Sequence, residues 1–314
     1  MVAARKESTI VPRKNIPDSR LYTKHPFSTP DNPQLCGAWF YPQTLRHQLV
    51  LVGLAGTAHQ IACYEQNPLW LETVMAAGFR VLLLDYRGHG ESALAPEQSI
   101  RQVRFKDLVE DVWHVLHAAG LTPPQTLLYG HSLGAGVALE VAAELAEDLQ
   151  PFAGVVALGG VAGSRWRGMY LRGMPGNFAR YPKTCWRAMK NPQEFFLHPS
   201  LARKLLFQSS TPEATVEAAI QLTGPESGRA LTDLCFSLRT RPLRAKRVLF
   251  VSGANDGCVP TKVVCQSVAD YQALGQQVDL VVLSGTPHNL FADGRVREAA
   301  QTLVQFAQAC EEGQ

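Results

Sequence analysis

Short runs of consecutive apolar residues recur along the chain. Leu49-Val50-Leu51-Val52 is one, Val81-Leu82-Leu83-Leu84 another, and Thr126-Leu127-Leu128-Tyr129 and Gly154-Val155-Val156-Ala157-Leu158 follow. Val248-Leu249-Phe250-Val251 and residues 278–283 complete the set, and residues 35–41 predict an earlier strand. Runs of this kind, rich in β-branched residues and bounded by turn formers, predict strands buried on both faces. The stretches between them have helical spacing, over about 61–77, 99–119, 135–147, 261–274 and 295–310. In 99–119, for example, Val103, Leu108, Val112, Val115 and Leu116 share one face and Gly120 ends the helix. Alternating strands and helices imply an α/β fold: a mainly parallel central sheet flanked by helices.

Two regions break the rhythm. Residues 1–34 are polar and carry Pro12, Pro17, Pro26, Pro30 and Pro33, which predicts an irregular or disordered lead-in. Residues 163–240 contain no clear strand. Short helical patterns there are separated by Pro175, Pro182, Pro192, Pro199 and Pro212, and Trp166, Met169, Met174, Phe178, Trp186, Met189, Phe195, Phe196 and Phe207 lie among them. The segment reads as a helical insertion between two strands, which leaves 35–162 and 241–314 as the core.

Composition narrows the function. With 314 residues, 46% hydrophobic and 18% charged, the chain suits one large domain with an insertion. A net charge of +3, with no basic cluster beyond Arg5, Lys6, Arg13 and Lys14, argues against a nucleic-acid partner. The opening Met1-Val2-Ala3-Ala4-Arg5-Lys6-Glu7 lacks the apolar centre of a secretory signal, and no run approaches the roughly 18 apolar residues of a membrane span. The seven cysteines show neither C-x-x-C nor zinc spacing. The expectation is a soluble cytoplasmic protein with free thiols and no metal or cofactor. The sequence carries no signal of oligomeric state.

The candidate chemistry centres on Gly130-His131-Ser132-Leu133-Gly134. This G-x-S-x-G pattern arises by chance about 0.1 times in a chain of this length, so its context decides. An apolar strand precedes it and an Ala-rich helical stretch follows. A sharp strand–helix turn lifts a serine hydroxyl above the sheet, and Gly130 and Gly134 keep the crowded backbone free of Cβ atoms. A serine hydroxyl is a weak nucleophile, so it needs a base and a group that orients the base. In this setting the partners follow in the order carboxylate, then histidine.

Of the two downstream histidines, His198 falls inside the helical insertion and His288 directly follows the last strand. His288 is therefore the candidate base. Asp256 is the only carboxylate in the loop after the strand at 248–251, which makes it the candidate orienting acid; Asp233 and Asp293 follow no strand. The developing oxyanion needs backbone N–H donors. Leu133, after the nucleophile, supplies one; Leu54, in Gly53-Leu54-Ala55-Gly56-Thr57-Ala58-His59, is the candidate for the second.

Together these residues resemble the α/β-hydrolase family, in particular its lysophospholipase and monoacylglycerol-lipase-like group. Asp85-Tyr86-Arg87-Gly88-His89-Gly90-Glu91-Ser92 is similar to the family's D-x-R-G-x-G-x-S loop, which the resemblance implies is structural rather than catalytic. Asp256 with Val259-Pro260 resembles the family's acid motif, and His288 its terminal histidine. The chain departs from the family at Val52-Gly53, where a His-Gly pair is usual, and at Pro287, where a glycine is usual. The resemblance covers about 36–162 and 241–310, and it implies that residues 163–240 form a substrate-selecting cap.

The expected function is a cofactor-free serine hydrolase cleaving a carboxylic ester with an apolar or acyl part, through an acyl-enzyme. A thioesterase, acyltransferase, lactonase or carbon–carbon bond hydrolase would use the same triad, and a non-catalytic small-molecule receptor would use the same fold.

Overall fold

A computed structural model describes residues 21–30, 34–291 and 295–313. Its single sheet has eight strands: β1 (Tyr22–Ser28), β2 (Cys36–Pro42), β3 (Val50–Leu54), β4 (Arg80–Leu84), β5 (Thr126–His131), β6 (Gly154–Leu158), β7 (Val248–Gly253) and β8 (Val278–Leu283). Their spatial order is β1-β2-β4-β3-β5-β6-β7-β8. β1 and β2 are antiparallel, as are β2 and β4; every other pairing is parallel.

Burial follows this order. Every residue of β3, β5, β6 and β7 is buried, as expected for parallel strands covered on both faces. The edge strand β1 is mostly exposed. Helix Leu69–Ala77 packs against helix Val296–Glu312, and Phe105–Ala118 against Leu133–Glu144. Among the described residues, no helix is long and apolar enough to cross a membrane. All seven cysteines are free.

Three boundaries differ from the sequence pattern. The irregular lead-in contains a strand, because residues 22–28 pair along their whole length with β2. Pro26 is tolerated there because β1 lies at the sheet edge. The rest of the lead-in that lies within 1–20 and 31–33, with its basic residues Arg5, Lys6, Arg13 and Lys14, falls outside the described residues, as does Asp293. The expected helix over 61–77 is two helices, Ile61–Glu65 and Leu69–Ala77, interrupted just before Pro68. That over 99–119 is a 3₁₀ turn, Ile100–Gln102, followed by a helix from Phe105.

Between β6 and β7 the chain leaves the sheet. Residues 163–240 form six helices and no strand: Gly163–Arg180, Pro182–Ala188, Gln193–Phe196, Pro199–Leu206, Glu213–Gln221 and Gly228–Phe236. This insertion is anchored in two places. Trp166, Ala230, Leu234 and Cys235 join the main core. Phe196, Leu206, Phe207, Val216 and Ala219 form a second cluster around Ala58, from the loop after β3. The loops that follow the parallel strands β3, β5, β6, β7 and β8 all emerge at the carboxyl edge of the sheet, where ligand sites of such folds lie.

Candidate active site

Ser132 joins β5 to helix Leu133–Glu144 with φ 54° and ψ −116°. A positive φ is costly for a residue with a Cβ and persists only where the surroundings enforce it. The enforcement is visible. The Ser132 N–H donates to the Leu158 carbonyl at 2.9 Å, and the Ala135 N–H returns to the Ser132 carbonyl at 3.0 Å. A Cβ on Gly130 would sit 2.0 Å from the Gly134 carbonyl oxygen, and one on Gly134 would sit 2.3 Å from that of Leu54. The two glycines are thus required by close backbone approach. Leu133 is the first helical residue, so the positive end of the helix dipole points at the serine.

His288 and Asp256 come from the loops after β8 and β7. His288 Nδ1 lies 2.8 Å from Asp256 Oδ2. Asp256 Oδ1 accepts the N–H groups of Cys258 at 2.8 Å and Val259 at 2.7 Å, which fixes the carboxylate's orientation. Both side chains are almost fully buried. An acceptor carboxylate on Nδ1 leaves Nε2 as the free nitrogen of neutral His288.

Ser132, Leu133 and His288 line one cavity of about 520 Å³. The insertion supplies much of its wall, including Trp166, Met169, Phe195 and Phe196, while the exposed Trp186 takes no part.

The cavity holds two further histidines. His131 Nε2 donates to the His288 carbonyl at 2.8 Å, and its ring centroid is 4.8 Å from that of His288. Burial, reinforced by its histidine neighbours, pushes its pKa well below the usual value. His59 Nδ1 donates to the Thr57 carbonyl at 2.7 Å, and burial lowers its pKa to about 4 despite that bond. Both rings are therefore neutral near pH 7 and add no positive charge beside His288.

The structure does not bring Leu54 to this cavity. Leu54 is the last residue of β3, paired with Leu84 on one side and Gly130 on the other, and fully buried. Its carbonyl accepts the Tyr64 hydroxyl at 2.9 Å. Gly53 lies inside the same strand, where a Cβ would meet the Tyr129 hydroxyl at 2.5 Å. Gly56 is the glycine of this loop beside Ser132: its Cβ position is 3.4 Å from Ser132 Cβ and 3.0 Å from His131 Nδ1. The residue after it, Thr57, lines the cavity with Ser132. The loop position assigned to Val52-Gly53-Leu54 is therefore occupied by Ala55-Gly56-Thr57, because β3 runs further than its apolar run suggests.

The weaker candidates are accounted for. Asp233 is committed to Arg104, with both oxygens 2.6 Å from the guanidinium. His198 directly precedes helix Pro199–Leu206 and its ring packs on Tyr181. The 85–92 loop braces the core: Asp85 Oδ1 accepts the Ile61 N–H at 2.8 Å, and Arg87 pairs with buried Asp111 at 2.6 Å. Burial raises Asp85 to about 6 against the N–H bonds that favour its charge. Sequence reasoning missed Gly159, whose Cβ position is 3.3 Å from His288 Nδ1 and 3.5 Å from Asp256 Oδ2. The Gly159-Gly160 pair directly after β6 was the available signal.

A serine on a strained strand–helix turn, above a parallel sheet and in one cavity with a histidine that a buried carboxylate holds, defines an α/β-hydrolase architecture. Residues 49–302 match the alpha/beta hydrolase family, and the chain belongs to it. Over 158 residues it is 26% identical to protein phosphatase methylesterase 1 of Mus musculus, a match covering 49% of this chain and 38% of that protein. The Bos taurus methylesterase is 25% identical over 158 residues, 49% of this chain and 39% of its own. The chain thus spans well under half the length of these relatives.

Among solved structures, an esterase from Exiguobacterium antarcticum superposes with TM-score 0.62 at 18% identity, covering 89% of this chain and 97% of that one. A soluble variant of the Saccharomyces cerevisiae monoglyceride lipase gives TM-score 0.62 at 12% identity, covering 94% and 97%. At these identities the likeness is one of fold.

Proposed function

We propose that the protein is a serine esterase in which Ser132, His288 and Asp256 form the catalytic triad. The observation that carries this reading is the strained Ser132 turn, set in one cavity with His288, whose Nδ1 is held by the buried Asp256 carboxylate. His288 Nε2 takes the proton from Ser132 Oγ as the oxygen attacks an ester carbonyl. Asp256 holds the imidazole in the Nδ1–H tautomer and stabilises the imidazolium that forms. The Leu133 and Thr57 amides bind the oxyanion, Thr57 taking the role first given to Leu54. His288 then protonates the leaving alcohol, and water releases the acid from the acyl-enzyme.

The helical insertion acts as a cap, and its apolar wall receives the apolar part of the substrate. The methylesterase names of the curated relatives favour a carboxylic ester over the other bonds this triad cleaves.

The test is turnover of a p-nitrophenyl ester series by the purified protein, with Ser132→Ala as control. The reading predicts hydrolysis that Ser132→Ala abolishes while keeping its circular dichroism spectrum. Folded protein that turns over no ester or thioester would overturn it and favour a binding role.

A further inference from the structure

Glu226, in the loop before the last helix of the insertion, is 1% exposed, and its carboxylate reaches down to the loop after β3. Oε2 accepts the Ala58 N–H at 3.1 Å and lies 3.3 Å from His89 Nε2. Oε1 accepts the Ser227 N–H at 2.7 Å. The Ala58 carbonyl accepts the Gly224 N–H at 2.8 Å, so Ala58 is gripped on both sides by one short stretch of the insertion. That stretch is itself tied down, because the Ser227 hydroxyl donates to the Val103 carbonyl at 2.6 Å.

Ala58 has φ 60°, a conformation that a residue with a Cβ keeps only when its surroundings hold it there. The turn it belongs to, Gly56-Thr57-Ala58-His59, closes with the His59 N–H on the Gly56 carbonyl at 3.0 Å. Thr57 sits in that turn, one residue from the bond to Glu226.

We infer that Glu226 is a positioning residue for catalysis: from the insertion it locks the turn that presents the Thr57 amide to the oxyanion, with His89 as its fixed counter-ion. The inference rests on the esterase reading above. It gives the insertion a second task beyond receiving substrate, since removing Glu226 loosens an oxyanion donor in the core.

The charges around the pair favour its ionic form. Burial opposes the charged form of each, but the pairing outweighs it, so the His89 pKa is raised and that of Glu226 lowered. The other titratable groups facing Glu226 are His59 from the turn and Tyr86 from the 85–92 loop; Asp85 faces His89. His59 is neutral near pH 7, and Tyr86 is held above its usual pKa by burial and by Asp111 and Glu226, so His89 is the cation that answers the carboxylate.

The test compares wild type, Glu226→Ala and Glu226→Gln on a p-nitrophenyl ester. The second measurement is affinity for an alkyl trifluoromethyl ketone, which forms a tetrahedral oxyanion on a catalytic serine. Loss of a whole oxyanion donor costs roughly 10²–10³ in kcat, so a loosened one should cost less. We expect kcat to fall roughly ten- to a hundredfold in Glu226→Ala and several-fold in Glu226→Gln, which keeps one acceptor oxygen, with KM nearly unchanged. Trifluoromethyl ketone affinity falls in step with kcat.

Circular dichroism and thermal melts verify folding, and if the alanine variant does not fold, the glutamine variant decides. A folded glutamine variant with wild-type kcat and wild-type ketone affinity overturns the inference. So does a loss of kcat that leaves ketone affinity untouched. Wild-type protein that neither turns over esters nor binds the ketone fails the esterase reading instead.

Discussion

Glycines in the turn around Ser132 and glycines in the insertion's first helix occupy opposite surroundings. At Gly130 and Gly134 an added Cβ would lie 2.0 and 2.3 Å from backbone oxygen. At Gly168, Gly173 and Gly176, in helix Gly163–Arg180, it would meet nothing within 4 Å. In the turn, glycine is a steric requirement of the geometry that presents Ser132. In the helix no neighbour requires it, and its cost to helix propensity is on the order of 1 kcal/mol each relative to alanine; Pro175 inside the helix weakens it further. The difference teaches where this molecule tolerates change. Ser132 sits on a turn whose glycines have no room for a Cβ, and part of the cavity wall, Met169 and Tyr170 among it, sits on a helix whose own propensity is poor.

The strongest way to break this contrast is inside the rigid region. Asp256→Asn keeps the size and most of the hydrogen bonding of the loop but favours the wrong His288 tautomer. It should lower kcat by about 10⁴ with little change in the melting temperature. Full activity in this variant would remove Asp256 from the triad.

A paired glycine substitution tests the contrast itself. Gly130→Ala must displace the Gly134 carbonyl and should destabilise by roughly 3 kcal/mol or fail to fold. Gly168→Ala, which meets nothing and does not line the cavity, should stabilise by about 0.5–1 kcal/mol at unchanged kcat/KM. Urea unfolding measures both, and equal effects at the two positions would erase the distinction.

A smaller effect is expected from the wall. If the apolar side chains of the insertion bind the acyl chain, each added methylene contributes about 0.8 kcal/mol until the cavity is full. On p-nitrophenyl esters kcat/KM should rise from acetate to a medium chain and then level off. Phe195→Ala should move that optimum by a few carbons while sparing reaction of Ser132 with a fluorophosphonate. A preference for acetate with no length dependence would assign the wall to packing alone.

The smallest effect lies at the joint between the regions. His89 has a raised pKa, so its contribution to stability is complete below the unfolded value of about 6.5 and is lost as pH rises through the folded value. Glu226 has a lowered pKa, so its contribution is present above the unfolded value of about 4.3 and is lost as pH falls through the folded value. The melting temperature of wild type should exceed that of Glu226→Gln most between about pH 4.5 and 6.5. The gap should narrow by a few degrees at alkaline pH; a gap independent of pH would mean the pair is not ionic.

The sequence was most informative where chemistry restricts both residue type and chain order. Ser132, Asp256 and His288 were each the best-placed residue of their kind in a loop after a strand, so the structure needed only to bring them together. Leu54 was misplaced because Gly53 reads as a strand terminator. Its glycine serves packing against Tyr129, and β3 continues beyond it. β1 was illegible because an exposed edge strand has no apolar face to show, and Pro26 argues against pairing. Glu226 was illegible for a different reason. Gly224-Pro225-Glu226-Ser227 has the composition of a surface loop, and its burial is set by His89 and Ala58, both distant in the chain.

The central claim, that the strained turn makes Ser132 the nucleophile, is tested most directly by mapping a fluorophosphonate adduct. Wild-type protein is treated with the probe, digested, and the modified peptide sequenced by mass spectrometry. The account predicts one adduct, on Ser132, that is absent in Ser132→Ala and slowed in Asp256→Asn. An adduct on another residue, or labelling of Ser132→Ala at the wild-type rate, would contradict it.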